Sequence, residues 1–160
     1  MKPVIAICPG SYDPVTYGHL DLIERAARVF DRLIVAVLQN PEKAPLFPVS
    51  ERAEMLREAT RGWSNVEVDV FEGLLVDFVR RKGARVVVRG IRAVSDYEYE
   101  LQMALMNRKM EPTVETVFML PAETFSFLSS SLVREIVRLG GSVDGLVPPM
   151  VQTRLKARLR

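Results

Sequence analysis

The chain has 160 residues, 48% apolar and 26% charged, with a net charge of +2. That is one domain's worth of sequence with an ordinary globular balance, which excludes a disordered or fibrous chain and needs no disulfide staple. So small an excess of positive charge gives no ground for a nucleic-acid-binding protein. The basic residues are 17 Arg and 5 Lys, a bias that suits phosphate or carboxylate contacts and equally a heat-stable surface.

In chain order, Pro3 to Cys8 is a short apolar run closed by Pro9-Gly10, the pattern of a buried strand entering a loop. It is too short for a signal peptide, and no stretch approaches the roughly 20 apolar residues of a membrane span. Cys8 is the single cysteine, so no intramolecular disulfide can form and a reducing, cytoplasmic location is expected. At a strand end it reads as a small buried hydrophobe. His19 is the single histidine, which excludes sites built on two His ligands.

A helix follows with Leu20, Ile23, Ala26, Ala27 and Phe30 at helical spacing, then a second apolar strand over Arg32 to Leu38. The segment NPEKAPLFPV carries three prolines and must be a loop, long enough to be functional. Ser50 is the expected N-cap of the next helix, with Glu51 in its first turn. Asn65 to Phe71 alternates like a half-buried strand. Leu74 to Lys82 reads as a short helix stopped by Gly83, and Ala84 to Val88 as a fourth strand. Ser95 with Glu98 forms a capping box for a long helix, in which Met103, Met106 and Met110 read as core or subunit interface. Glu115 to Leu120 is a fifth strand, and SSSLVREIVRLGG a helix with Gly140 as its stop. From about residue 148 the tail reads as a basic amphipathic helix.

Five apolar strands alternating with helices predict an α/β fold, Rossmann-like and doubly wound, with a five-stranded mainly parallel sheet and helices on both faces. Residues 1–160 are expected to form a single domain. Ligands of such sheets sit at the carboxyl ends of the strands, so the loops there are the place to look. No GxxxxGK[ST] and no GxGxxG occurs, which removes P-loop proteins and Rossmann dehydrogenases. Strand one is instead followed by Pro9-Gly10-Ser11-Tyr12-Asp13-Pro14, with Thr16-Tyr17-Gly18-His19 opening the first helix. Gly10 allows close approach of backbone to a ligand, and the Ser11 hydroxyl can bond an anionic oxygen. An imidazole at a helix N-terminus can donate to a phosphate whose charge grows in a transition state. On spacing alone His19 reads equally as a surface or capping residue.

PGSYDPVTYGH between a strand and a helix resembles the [TH]xGH motif of the nucleotidylyltransferase superfamily. The run Phe125-Ser126-Phe127-Leu128-Ser129-Ser130-Ser131, continuing to Arg134, resembles its second motif. With Arg89-Gly90-Ile91-Arg92 and SDYEYELQMALMNR between them, nearly the whole chain resembles the bacterial phosphopantetheine adenylyltransferases. The resemblance implies transfer of AMP from ATP to 4′-phosphopantetheine, giving dephospho-CoA and pyrophosphate, with Mg2+ carried on the phosphates and no side chain as its ligand. It implies direct in-line attack without a covalent enzyme intermediate, a homohexamer, and CoA as feedback inhibitor, with no nucleic acid or membrane partner.

Roles carry over by position. His19 is the implied transition-state stabiliser, and Lys43 and Arg92 complete the catalytic set. Ser11 stands where the family commonly has Thr, and either hydroxyl can bind phosphate. The implied ATP site comprises Ser11, Tyr12, His19, Arg89, Gly90, Ile91, Arg92, Glu100 and the run Phe125, Ser126, Phe127, Leu128, Ser129, Ser130, Ser131. The implied acceptor site comprises Ser11, Lys43, Leu75, Arg89 and Asn107. Each has a plainer reading from the residues alone. Lys43 could be a solvated lysine, Arg89 and Arg92 surface ion pairs, DYEYE an acidic outer face, Ser129 an N-cap and Leu75 core. Three rivals stay open at this point: the same chemistry on another phosphorylated acceptor such as nicotinamide mononucleotide, a nucleotide-binding regulator without catalysis, and, last, a nucleic-acid-binding module.

Overall fold

The computed structural model describes residues 1–92 and 94–159, without the side chains of Val94 and Ser95, so the expected Ser95 capping box lies outside the described residues. Five strands, β1 (Ile5–Gly10), β2 (Arg32–Leu38), β3 (Val66–Phe71), β4 (Val86–Gly90) and β5 (Glu115–Met119), pair in parallel in the order β3-β2-β1-β4-β5. Helices α1 (Tyr17–Val29), α2 (Val49–Thr60), α3 (Leu75–Arg81), α4 (Val94–Met110), α5 (Ser130–Arg138) and α6 (Pro149–Leu159) connect and flank them. Among the described residues no helix is long and apolar enough to cross a membrane.

The central strands read as continuous apolar runs because both faces of the sheet are covered. Alternate residues go to opposite sides: Ala6, Cys8, Leu33, Val35, Val37, Val86 and Val88 join the larger core, under α1, α2, α5 and α6. Ile7, Ile34, Ala36 and Val87 join the smaller one, with Phe78 and Val79 of α3. In α1 the spacing seen in the sequence buries Leu20, Ile23 and Ala26. Gly83 and Gly140 stand just past α3 and α5 at φ 66° and 82°, the left-handed stop that glycine adopts without strain.

Two expectations are corrected and a third is narrowed. The α2 helix begins at Val49 behind Pro48, with no side-chain cap, so Ser50 lies inside the first turn. Strands β1 and β4 both run two residues further than their apolar runs, through Pro9-Gly10 and Arg89-Gly90. Pairing with β2 holds β1 extended as far as Gly10↔Val37, a tertiary effect that overrides the turn signal of Pro-Gly. Of the two readings of the α4 methionines, core is excluded and a subunit interface is left: Met103, Met106 and Met110 are all exposed in the chain.

The basic tail explains itself by packing. Val151 and Leu155 of α6 are fully buried, Arg154 pairs with Glu54, and Arg158 pairs with Glu51 while lying 5.1 Å from the Phe47 ring.

Candidate active site

The register of the sheet opens a crevice. β1 and β2 pair over six positions, whereas β1 and β4 pair only at Ala6↔Val86 and Ile7↔Val87. Beyond those pairs the strands part, and the chain leaves β1 for the α1 face and β4 for α4, which packs beside α3. A reversal of this kind is where open parallel sheets bind ligands. The cavity there holds about 500 Å³.

His19 is set by the start of α1. Thr16 is the N-cap, its hydroxyl accepting the His19 N–H at 3.3 Å, while the Thr16 N–H donates to His19 Nδ1 at 3.0 Å. A backbone N–H can only donate, so Nδ1 accepts and the proton of the neutral ring sits on Nε2. Burial, with the charges of Arg92 and Arg89 adding to it, lowers its pKa from 6.5 to about 4. Near neutral pH the ring is therefore an uncharged donor of fixed tautomer on the cavity wall. Tyr12 supports it edge-on, with ring centroids 4.9 Å apart. The Tyr12 hydroxyl points inward and donates to the Cys8 carbonyl at 2.8 Å, so its ring forms part of the cavity floor. Gly10 is needed for the same packing: a Cβ there would stand 3.1 Å from the Tyr12 ring. Cys8 is buried, and burial pushes its thiol up, away from nucleophilic thiolate.

Arg89 and Glu100 hold each other. Arg89 forks Nε and Nη2 onto the Glu100 carboxylate at 2.8 and 2.5 Å and gives Nη1 to the Pro9 carbonyl at 2.7 Å. Burial works against the Arg89 charge and Glu100 more than offsets it, so the guanidinium stays charged beside the cavity. Arg92 donates to Asp96 at 3.0 Å and to the Leu128 carbonyl at 2.8 Å, tying the start of α4 to the second motif.

The three serines are stitched into α5. Ser129 is its N-cap and accepts from Leu132 N–H, Ser130 donates to the Pro14 carbonyl, and Ser131 accepts from Arg134. What the motif turns to the cavity is thus chiefly a helix N-terminus, favourable to anions. Lys43 comes from the loop after β2, exposed, with no side-chain hydrogen bond or ion pair among the described residues.

Besides these, Ser11, Gly90, Phe125 and Leu128 line the cavity, and five expected residues do not. Leu75 packs against the smaller core at the start of α3, and Asn107 is buried on α4. Ile91 donates its N–H to the Met119 carbonyl, the Ser126 hydroxyl donates to the Glu123 carbonyl, and Phe127 is exposed. Sequence reasoning missed Thr16, Asp13 and Arg52. Thr16 had a signal, the T-x-x-H spacing of a capping box with His in place of Glu. Asp13 had only its place in the motif, and Arg52 is an ordinary residue of a helical stretch.

With the geometry in hand, the relatives of the chain can be read. A family model described as cytidylyltransferase-like matches residues 7–136. A phosphopantetheine adenylyltransferase of Caldanaerobacter subterraneus subsp. tengcongensis is 52% identical, over 98% of each chain. One of Natranaerobius thermophilus is 57% identical, over 95% of this chain and 93% of its own. A solved structure from Vibrio parahaemolyticus, described as a candidate nicotinate-nucleotide adenylyltransferase, superposes with a TM-score of 0.70 over 96% of this chain and 99% of its own. At 16% identity that likeness speaks for the fold alone. Two near-full-length relatives at above half identity leave one assignment: this chain belongs to the phosphopantetheine adenylyltransferase family, within the cytidylyltransferase-like proteins.

Proposed function

We propose that the chain is a nucleotidyltransferase that moves the adenylyl group of ATP onto 4′-phosphopantetheine, releasing pyrophosphate and forming dephospho-CoA in CoA biosynthesis. The observation that carries this reading is the ring of groups about one cavity: His19 as a neutral donor, with Arg89, Arg92 and Lys43 as cations, at the switch point between β1 and β4. An acceptor phosphate oxygen attacks the α-phosphorus of ATP while the bond to the β-phosphate oxygen breaks, so that one P–O bond forms and one is lost. No protein nucleophile is needed, and the buried Cys8 thiol is a poor candidate for one. Catalysis is then positioning and charge stabilisation. The Nε2–H of His19 stabilises charge growing on the α-phosphate, and the cations hold the phosphates on either side. Mg2+ enters as part of the substrate, Mg-ATP.

The exposed apolar side chains of α4, Tyr99, Leu101, Met103, Leu105 and Met106, support self-association, in this reading as a homohexamer. CoA, sharing the product's structure, would act as feedback inhibitor, and the lone buried cysteine fits a cytoplasmic setting. Sedimentation of Leu105→Glu should show smaller particles than the parent chain, and an unchanged mass would remove α4 from the interface.

The test of function is pyrophosphate release from Mg-ATP with and without 4′-phosphopantetheine, the product being identified by mass. Release that depends on this acceptor supports the reading. Release only with nicotinamide mononucleotide would keep the chemistry and replace the acceptor. ATP binding without release from any acceptor would favour a regulator.

A further inference from the structure

We infer that Arg52 is a positioning residue that sets Lys43 against the His19 loop, an inference resting on the proposed role of Lys43. Arg52 is only 4% exposed and sits on the inner side of α2, against the cavity wall. Among the described residues it makes no direct ion pair. Its Nε donates to the Phe47 carbonyl at 3.0 Å, and its Nη1 to the Leu38 carbonyl at 3.0 Å and the Ser11 carbonyl at 2.7 Å. Leu38 is where the Lys43 loop leaves β2, Phe47 is where it returns towards α2, and Ser11 belongs to the β1–α1 loop that leads to His19. One planar guanidinium therefore holds both ends of the Lys43 loop and joins them to the segment that carries the donor.

Asp13 completes the clamp from the other side. Its carboxylate accepts the N–H groups of Leu46 and Phe47 at 2.8 and 2.9 Å. Burial lowers the Arg52 pKa and Asp13 works against that lowering, so the charge is kept by a neighbour that grips the same loop. The chemistry explains why the side chain is arginine. Three carbonyls at the ends of two parallel strands and a loop need donors beyond the sheet, and only a fork of fixed geometry reaches all three from one Cα. Lys43, whose side chain has no partner among the described residues, owes its place to this backbone. Arg158 touches the same loop at the Leu46 carbonyl, 2.9 Å away, but not the Ser11 segment, and so serves as a control.

The experiment is a double-mutant cycle with Mg-ATP and 4′-phosphopantetheine, using Arg52→Met, Lys43→Ala and both together, alongside Arg52→Lys and Arg158→Met. Arg52→Met is expected to lower kcat about tenfold with the KM for ATP within about twofold, as positioning of a reacting group requires. In the Lys43→Ala background the same change should cost less than about twofold, because its effect passes through Lys43. Arg52→Lys should restore part of the loss and keep the fold if Arg52→Met does not, and Arg158→Met should leave kcat within about twofold. Amide hydrogen exchange gives a readout that needs no turnover: Arg52→Met should speed exchange at Leu46 and Phe47 and leave the β1 amides protected. A full tenfold loss in both backgrounds, or unchanged exchange at Leu46 and Phe47, overturns the proposal. If Lys43→Ala keeps full activity while adenylyl transfer proceeds, the role of Lys43 and this inference fall together and the proposed reaction stands. If the parent chain transfers nothing, the reaction fails, and exchange alone decides the clamp.

Discussion

The two walls of the cavity are built on opposite plans. On the wall formed by β1, β4 and the starts of α1 and α4, Arg89, Arg92 and His19 are each anchored before any ligand arrives: Arg89 to Glu100 and Pro9, Arg92 to Asp96 and Leu128, and His19 through Nδ1 to Thr16, with its Nε2–H left free. On the wall formed by the β2–α2 loop, Lys43 stands exposed and, among the described residues, unpaired, while the backbone beneath it is fixed. The first wall is preorganised, so its donors need no rearrangement as charge develops, which is where fixed dipoles are worth most. The second leaves a long flexible cation to be ordered by the phosphates themselves, at a cost in side-chain entropy. The comparison predicts that first-wall substitutions damage stability and catalysis together, and second-wall ones catalysis alone.

The largest effect should come from His19→Ala. Loss of a preorganised donor to a developing oxyanion typically costs about 10²–10³ in kcat, read here as the rate of pyrophosphate release. Loss of the Thr16–His19 capping interaction should also destabilise the chain by about 1 kcal/mol, read by urea unfolding. Full activity in this variant would place the α-phosphate elsewhere. Next is Arg89→Met, which leaves the Glu100 carboxylate buried without its partner. Breaking a buried pair costs about 3–5 kcal/mol, and Arg89 is 32% exposed, so about 2–3 kcal/mol is expected. A loss below about 0.5 kcal/mol would mean that the pair is as weakly coupled as a surface bridge. Lys43→Ala sharpens the contrast from the other side. Its kcat should fall about thirtyfold through a lost charge-assisted contact, with unfolding free energy unchanged to about 0.5 kcal/mol. A drop in stability without one in kcat would reverse the assignment of the two walls.

The sequence made the frame legible where physics is local or periodic. The burial of Leu20, Ile23 and Ala26, the apolar strands and the stops at Gly83 and Gly140 all follow from spacing and backbone preference. It also brought His19, Arg89, Arg92, Glu100 and Lys43 to one cavity, through the resemblance rather than through spacing. What it hid was pairing over long separations. Arg89 is a phosphate contact by the resemblance and an ion pair by its own reading, and neither names Glu100, eleven residues on, as the group that grips it. Nothing in the helical stretch around Arg52 shows that it meets a carbonyl 41 residues earlier. The inward turn of the Tyr12 hydroxyl, for which Gly10 leaves room, is likewise not written in the motif. Conversely the exposed methionines of α4 have a helical spacing that a sequence cannot distinguish from that of core, since both are apolar stripes.

The smallest expected effect tests the preorganised wall without removing any of its contacts. His19 has a pKa of about 4 in the folded chain against 6.5 for the free side chain. Above pH 6.5 the ring is neutral in both states and titration adds nothing. Below it, the unfolded chain takes up a proton that the folded chain refuses until pH 4, so the stability present at neutral pH is lost as the pH falls through this window. Between pH 7.5 and 5, allowing for the ring's partial exposure, the loss from this group is about 1 kcal/mol. Paired carboxylates such as Asp69 and Glu111 also lose stability on acidification, so the measurement is the difference between the parent chain and His19→Asn in urea at each pH. The parent should lose about 1 kcal/mol more than the variant. Equal losses, or an enzyme pKa near 6.5 in kcat/KM that vanishes in His19→Asn, would mean that the ring gains its proton in the folded state. The Thr16 N–H would then face a donor, and the wall would be less fixed than its geometry requires.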